Sequence, residues 1–212
     1  EEAPGALVMG PGSIGDGTLI ERAAAAAGVR LLPSRDLLAA QRDPIDVFAY
    51  HYYGGVSERC ATSGPLAVTP EGATDPAWLG RTDTALALYR GLRDQYAPGT
   101  PIWLTETGQA ACGGSRWAST FADTPRYVDQ LGRLAQQGVQ VVMHNTLARG
   151  DYALLDNDSF APRPSYWAAL LWARLMDRRV LAVTSEEPTL RLYAHCLLGR
   201  PGGIALAAVN LR

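Results

Sequence analysis

The sequence contains no lysine: all 19 basic residues are arginine, set against 21 acidic ones for a formal charge of −2. Without a side-chain amine the chain cannot form a Schiff base, anchor pyridoxal phosphate or supply the lysine of a Walker phosphate loop. The two signs of charge are interspersed, so no basic stripe exists to neutralise phosphates, and no nucleic-acid partner is expected. Long apolar runs are also missing. The longest reach roughly ten residues, about half of the ~20 that a membrane-spanning helix needs, so no membrane span is expected. The histidines, at 51, 144 and 195, show neither HxH nor HExxH spacing, and the cysteines are not at ligand spacing, so neither metal nor cofactor is expected. A GxSxG nucleophile elbow is absent, which argues against a serine hydrolase. The first residues, Glu1-Glu2-Ala3-Pro4, are neither an initiator start nor a signal peptide, and the chain reads as a piece of something longer.

What is present is material for a core, with 47% apolar and only 19% charged residues in 212. Ala6 to Met9 reads as a strand closed by Gly10-Pro11-Gly12, followed by an alanine-rich helix from Thr18 to Ala27. Ile45 to Tyr53 is a β-branched and aromatic strand, and a helix is expected from Thr82 to Tyr96. Pro101 to Thr105 is the third strand. Thr124 as N-cap and Pro125 at N1 then start a helix that ends at Gly138. The fourth strand spans Val139 to Leu147. The last helix, capped by Ser165 and running from Tyr166 to about Asp177, is apolar nearly all round and should be buried. Four strand-then-helix units argue for an α/β fold with parallel strands, and the pattern does not distinguish half a barrel from a doubly wound sheet. From Val180 the chain changes to strand-like runs without helices, the start of a second, all-β module.

In parallel α/β folds the chemistry sits at the C-terminal ends of the strands. The residues there are Gly10-Pro11-Gly12, His51-Tyr52-Tyr53, Glu106 to Gln109, and His144-Asn145-Thr146. Glu106 is the most informative, a carboxylate closing an apolar strand; the alternative is a rim glutamate paired with Arg116. His51 alone reads as a hydrogen-bonded core histidine more readily than as a catalyst, and Glu106 on the next strand strengthens the functional reading. Gly10-x-Gly12-x-x-Gly15 matches a dinucleotide fingerprint, but no acidic residue closes the next strand as that fold requires.

Five segments carry a resemblance: Pro101 to Thr107, Ala111-Cys112-Gly113-Gly114, Val141-Val142-Met143, Gly150 to Asp156, and Pro164-Ser165-Tyr166-Trp167. With Asp46 to Tyr53 upstream and Leu192 to Cys196 downstream, they resemble the heparanase family, glycoside hydrolase family 79, in the same order along essentially the whole chain. The resemblance implies a (β/α)8 TIM barrel with an appended β-sandwich. Residues 1–179 would hold strands five to eight and residues 180–212 the start of the sandwich. It further implies a retaining glycosidase with Glu106 as nucleophile at the end of strand seven. The family's acid/base glutamate follows an asparagine, and no Asn-Glu pair occurs in this chain, so it falls to the remaining N-terminal half. The implied ligand is an oligo- or polysaccharide containing glucuronic acid. His51 and Tyr53 would orient Glu106, while Cys112, Gly113, Gly114 and Tyr152 would receive the uronic carboxylate, with a departure from the family pattern at Ala111 and Cys112. Another barrel glycosidase acting on a neutral sugar, and a non-catalytic carbohydrate-binding scaffold, are the alternatives.

On that barrel, Cys60 follows the strand ending at Tyr53 and Cys112 the strand ending at Thr105, which makes them candidates for a disulfide between adjacent loops; otherwise they are free thiols. Cys196 is left over. The cysteines and a polysaccharide substrate together suggest a secreted or periplasmic enzyme.

Overall fold

The computed structural model describes residues 5–16, 19–26 and 28–212. Four parallel strands lie in sequence order, β1 (Met9–Ile14), β2 (Val47–Tyr52), β3 (Ile102–Thr107) and β4 (Val141–His144). Helices α1 (Leu19–Ala26), α2 (Ser34–Ala40), α3 (Pro76–Leu79), α4 (Arg81–Tyr96), α5 (Thr124–Gln136) and α6 (Pro164–Leu175) are interleaved with them. A second, antiparallel sheet is formed by β5 (Met176–Leu181), β6 (Leu190–Leu197) and β7 (Ile204–Asn210).

Alternation along β2 and β3 turns Phe48, Tyr50, Ile102 and Leu104 toward the helices, where they meet Leu86, Tyr89 and Leu92 of α4 and Leu134 of α5. Each such buried side chain contributes ~1.5–3 kcal/mol. Tyr50 stacks on Tyr89 with ring centroids 4.7 Å apart. The Tyr89 hydroxyl ends the stack at Asp16, 3.1 Å away, and Asp16 also accepts from the Ser34 amide at 2.7 Å. The second sheet docks on α5 through Tyr193. A Cβ at Gly132 would fall 2.1 Å from the Tyr193 ring, so only glycine permits that approach, and the Tyr193 hydroxyl bonds Asp129.

Several elements depart from the sequence expectation. The first strand begins where it was expected to end, with Gly10-Pro11-Gly12 inside it; a register shift between Pro11 and Ser13 accommodates a residue without an N–H. The expected helix limits Thr18 and Ala27 lie outside the described residues. Helix α2 was not expected, because seven residues with one buried leucine, Leu38, are too short to register as a period. Thr124 is the first residue of α5, not its cap; Asp123 precedes it and is engaged by Arg126 at 2.9 Å. The fourth strand is shorter than expected, and β5 follows directly on α6 rather than starting at Val180. The expectation of a buried last helix is overturned: Trp167, Leu171 and Leu175, one turn apart, are 53%, 57% and 41% exposed. An all-round apolar pattern shows that a helix has two faces to cover, and among the described residues only one of them is covered.

Candidate active site

Strict alternation along β3 would put Glu106 on the same buried face as Leu104. The pairing with β2 prevents this. Tyr50 is opposite Leu104 and His51 is opposite Glu106, which leaves Thr105 as an extra residue in β3. One inserted residue reverses the facing of those beyond it. Thr107 therefore turns toward the helices, where the Gln130 side-chain amide of α5 donates to its hydroxyl at 3.1 Å. Glu106 turns to the opposite face beside His51, with its side chain 39% exposed. The bulge is thus the local feature that brings a carboxylate out of a strand otherwise committed to the core.

Glu106 Oε1 accepts from the Tyr53 hydroxyl at 2.8 Å. Its Oε2 lies 3.6 Å from His51 Nδ1, an ion-pair distance for a protonated ring but too long for a hydrogen bond. Tyr53 is itself fixed from behind, since Asn145 Nδ2 donates to its hydroxyl at 2.7 Å and also reaches the Tyr152 hydroxyl at 3.3 Å. Burial pushes the Tyr53 phenol well above its ordinary range; the Asn145 donation opposes this, and the hydrogen bond and charge of Glu106 add to it. The phenol is therefore a neutral donor aimed at the carboxylate.

Tyr152 connects this group to the loop after β3. Cys112, Gly113 and Gly114 have φ of 63°, 81° and 78°, three consecutive residues in the left-handed region. At Gly114 the space requires glycine, because a Cβ would lie 2.7 Å from Tyr152 Cδ1. A disulfide joins Cys60 to Cys112, so the loop after β2 is tied to the loop after β3. Asp151, beside Tyr152, pairs with Arg59 from the first of those loops.

The sequence-chosen residues therefore gather in two linked groups, Glu106 with His51 and Tyr53, and Cys112 to Gly114 with Tyr152. The alternative pairing of Glu106 with Arg116 does not form; the Arg116 amide instead donates to Glu58 at 3.0 Å. The dinucleotide fingerprint fails structurally, since Gly10 and Gly12 lie within β1 rather than in a turn ahead of a helix. Two residues that sequence reasoning left without a role matter here. Asn145 links the two tyrosines, and its only signal was its position just beyond β4. Arg59 spans two loops and had no signal beyond its neighbour Cys60. Among the described residues no three His, Cys, Asp or Glu side chains gather as a metal site would require, and no helix is long and apolar enough to cross a membrane.

No family model matches the chain. Individual proteins do. Heparanase-like protein 1 of Arabidopsis thaliana is 37% identical over 169 residues, which is 79% of this chain and 30% of that protein. Heparanase of Gallus gallus is 33% identical over 187 residues, 84% of this chain and 34% of that protein. A Mus musculus protein named Inactive heparanase-2 is 35% identical over 134 residues, 55% of this chain and 23% of that protein. The chain thus spans about a third or less of the length of these relatives. Among solved structures, CelM2, a bifunctional glucanase-xylanase from a metagenome library, matches with a TM-score of 0.58 over 98% of this chain and 44% of that chain, at 17% identity, a likeness of fold.

Proposed function

The chain is related to the heparanase family over most of its length, and on that premise we propose that it is the C-terminal half of the (β/α)8 barrel of a retaining β-glucuronidase. Residues 1–175 supply strands five to eight, and the β-sandwich domain opens with β5 at Met176. The observation that carries the reading is the Glu106 carboxylate, lifted out of the core by the Thr105 bulge and held by the Tyr53 hydroxyl at 2.8 Å.

In this reading Glu106 is the nucleophile. A retaining glycosidase needs one ionised carboxylate to attack the anomeric carbon and a protonated one ~5–5.5 Å away to protonate the departing oxygen. The ester formed on Glu106 is then released by water, with the second carboxyl acting as base. That second group belongs to the N-terminal half of the barrel, the partner this chain requires. Tyr53, fixed by Asn145, keeps the attacking oxygens in one orientation, so that little reorganisation is needed during the reaction. The uronic carboxylate is received by the loop Cys112 to Gly114 and by Tyr152. Neither the Cys112 nor the Gly113 amide donates to another described residue, which suits them to an anion.

The exposed stripe Trp167, Leu171 and Leu175, with Leu7, Val8 and Met9 at the other edge, is the surface that the N-terminal half covers. A disulfide between two site loops fits an exported protein. The test is hydrolysis of an aryl β-glucuronide against an aryl β-glucoside by the full-length protein. Preference for the glucuronide supports the reading. Preference for the glucoside would assign a neutral sugar, and binding without hydrolysis would leave a carbohydrate-binding scaffold.

A further inference from the structure

The carbonyl groups of the Cys112 to Gly114 loop behave differently from its amides. Each of the three carbonyls has a donor from elsewhere in the chain. Ser57 Oγ donates to the Cys112 oxygen at 2.9 Å, the Asp151 amide to the Gly113 oxygen at 2.9 Å, and the Arg59 guanidinium to the Gly114 oxygen. The Cys112 and Gly113 amides donate to no described residue. A peptide plane joins each carbonyl to the amide of the next residue and cannot rotate without breaking the bond that the carbonyl accepts, so the donors to the Ala111 oxygen (the Ser57 amide, 3.0 Å), the Cys112 oxygen and the Gly113 oxygen fix where the Cys112, Gly113 and Gly114 amides point.

Arg59 enters two of these contacts, one directly and one through Asp151. It donates to the Gly114 oxygen with one nitrogen and pairs with Asp151 through another, while the Asp151 amide holds Gly113. The next residue, Cys60, is covalently bound to Cys112. Three loops, those after β2, β3 and β4, are thereby closed into one unit. We propose that Arg59 is a specificity-determining positioning residue, which locks the Cys112-Gly113-Gly114 backbone with its amides left free for the carboxylate of a uronic acid. The identity of the ligand rests on the β-glucuronidase reading; the locking of the loop does not.

The physical chemistry separates this role from a stabilising one. Arg59 is 48% exposed in its side chain, and an ion pair so placed adds little to global stability. Its geometry nevertheless matters, because the guanidinium fork reaches a carbonyl and a carboxylate at once, which an ammonium cannot reproduce with the same fixed angles.

The test uses Arg59→Gln and Arg59→Lys in the full-length protein, with two readouts. The first is hydrogen exchange at the Asp151 amide, whose acceptor is the Gly113 oxygen. It should speed up about tenfold or more in Arg59→Gln and less in Arg59→Lys, with the melting temperature nearly unchanged. The second is steady-state hydrolysis of an aryl β-glucuronide, where KM should rise about tenfold and kcat stay within about twofold. Unchanged exchange in Arg59→Gln would overturn the proposal whatever the activity. Faster exchange in a protein that does not hydrolyse the glucuronide would support the locking role and refute the glucuronidase reading instead. Faster exchange with an unchanged KM would overturn the specificity role.

Discussion

Replacing Tyr53 with phenylalanine removes one oxygen and leaves the ring, which is 6% exposed, in place. Glu106 Oε1 loses its donor at 2.8 Å, and the other oxygen has only His51 at 3.6 Å, so no side-chain hydrogen bond to the carboxylate survives among the described residues. A hydrogen bond to a charged group is worth ~1.5–3 kcal/mol, and each ~1.4 kcal/mol in the barrier is tenfold in rate. The partly exposed carboxylate recovers some of this from water, so kcat/KM should fall roughly 10- to 100-fold. Asn145 loses its acceptor at 2.7 Å and retains the weaker contact to Tyr152 at 3.3 Å, at a cost of about 1 kcal/mol in stability. The assay is hydrolysis of an aryl β-glucuronide by the full-length variant, with its melting curve recorded alongside. Wild-type kcat/KM in a folded Tyr53→Phe protein would refute the claim that this hydroxyl orients the nucleophile.

Gly132→Ala should destabilise the protein by ~1–3 kcal/mol or more, because the added carbon falls within 2.1 Å of the Tyr193 ring and displaces the second sheet from α5; chemical denaturation reads the change. The Cys60→Ser and Cys112→Ser pair opens a covalent loop between residues 52 apart in sequence, for which chain entropy gives a loss of up to ~4 kcal/mol, measured by the same unfolding experiment. Burial lowers the His144 pKa below its ordinary value, and the Tyr152 carbonyl, 2.7 Å from Nε2, opposes this by accepting from the ring. The unfolded chain then takes up a proton on His144 first as pH falls below ~6.5, so this residue's contribution to stability is present above that pH and is lost below it. The melting temperature should drop between about pH 7 and 5, and His144→Gln should flatten that part of the profile; an equally steep profile in the variant would contradict this.

How much of this was legible in the sequence depends on the range of the interaction. The central strands could be read from their β-branched and aromatic runs, and α4 and α5 from apolar spacing with Pro98-Gly99 and Gly138 as stops. Glu106 stood out because a carboxylate closes an apolar strand. Its facing could not be read, since that depends on a bulge at Thr105 which exists only in the pairing with β2. Asn145 and Arg59 escaped for the same reason. Each acts across loops far apart in sequence, Asn145 on Tyr53 and Arg59 on Gly114 and Asp151. The exposed stripe of α6 is a different case. Its periodicity correctly marks a helix with two apolar faces, but periodicity says nothing about whether the partner lies within the same 212 residues.

The nucleophile is the claim on which the account depends, and covalent trapping tests it directly. A 2-fluoro-β-glucuronide with a good leaving group slows release of the glycosyl-enzyme more than its formation, so the sugar accumulates on the attacking carboxylate. Incubated with the full-length protein, digested and sequenced by mass spectrometry, it should leave one fluoroglucuronyl group, on Glu106, and Glu106→Gln should abolish both labelling and turnover while melting like the parent. Label on a different carboxylate, or sustained turnover in Glu106→Gln, would contradict the assignment.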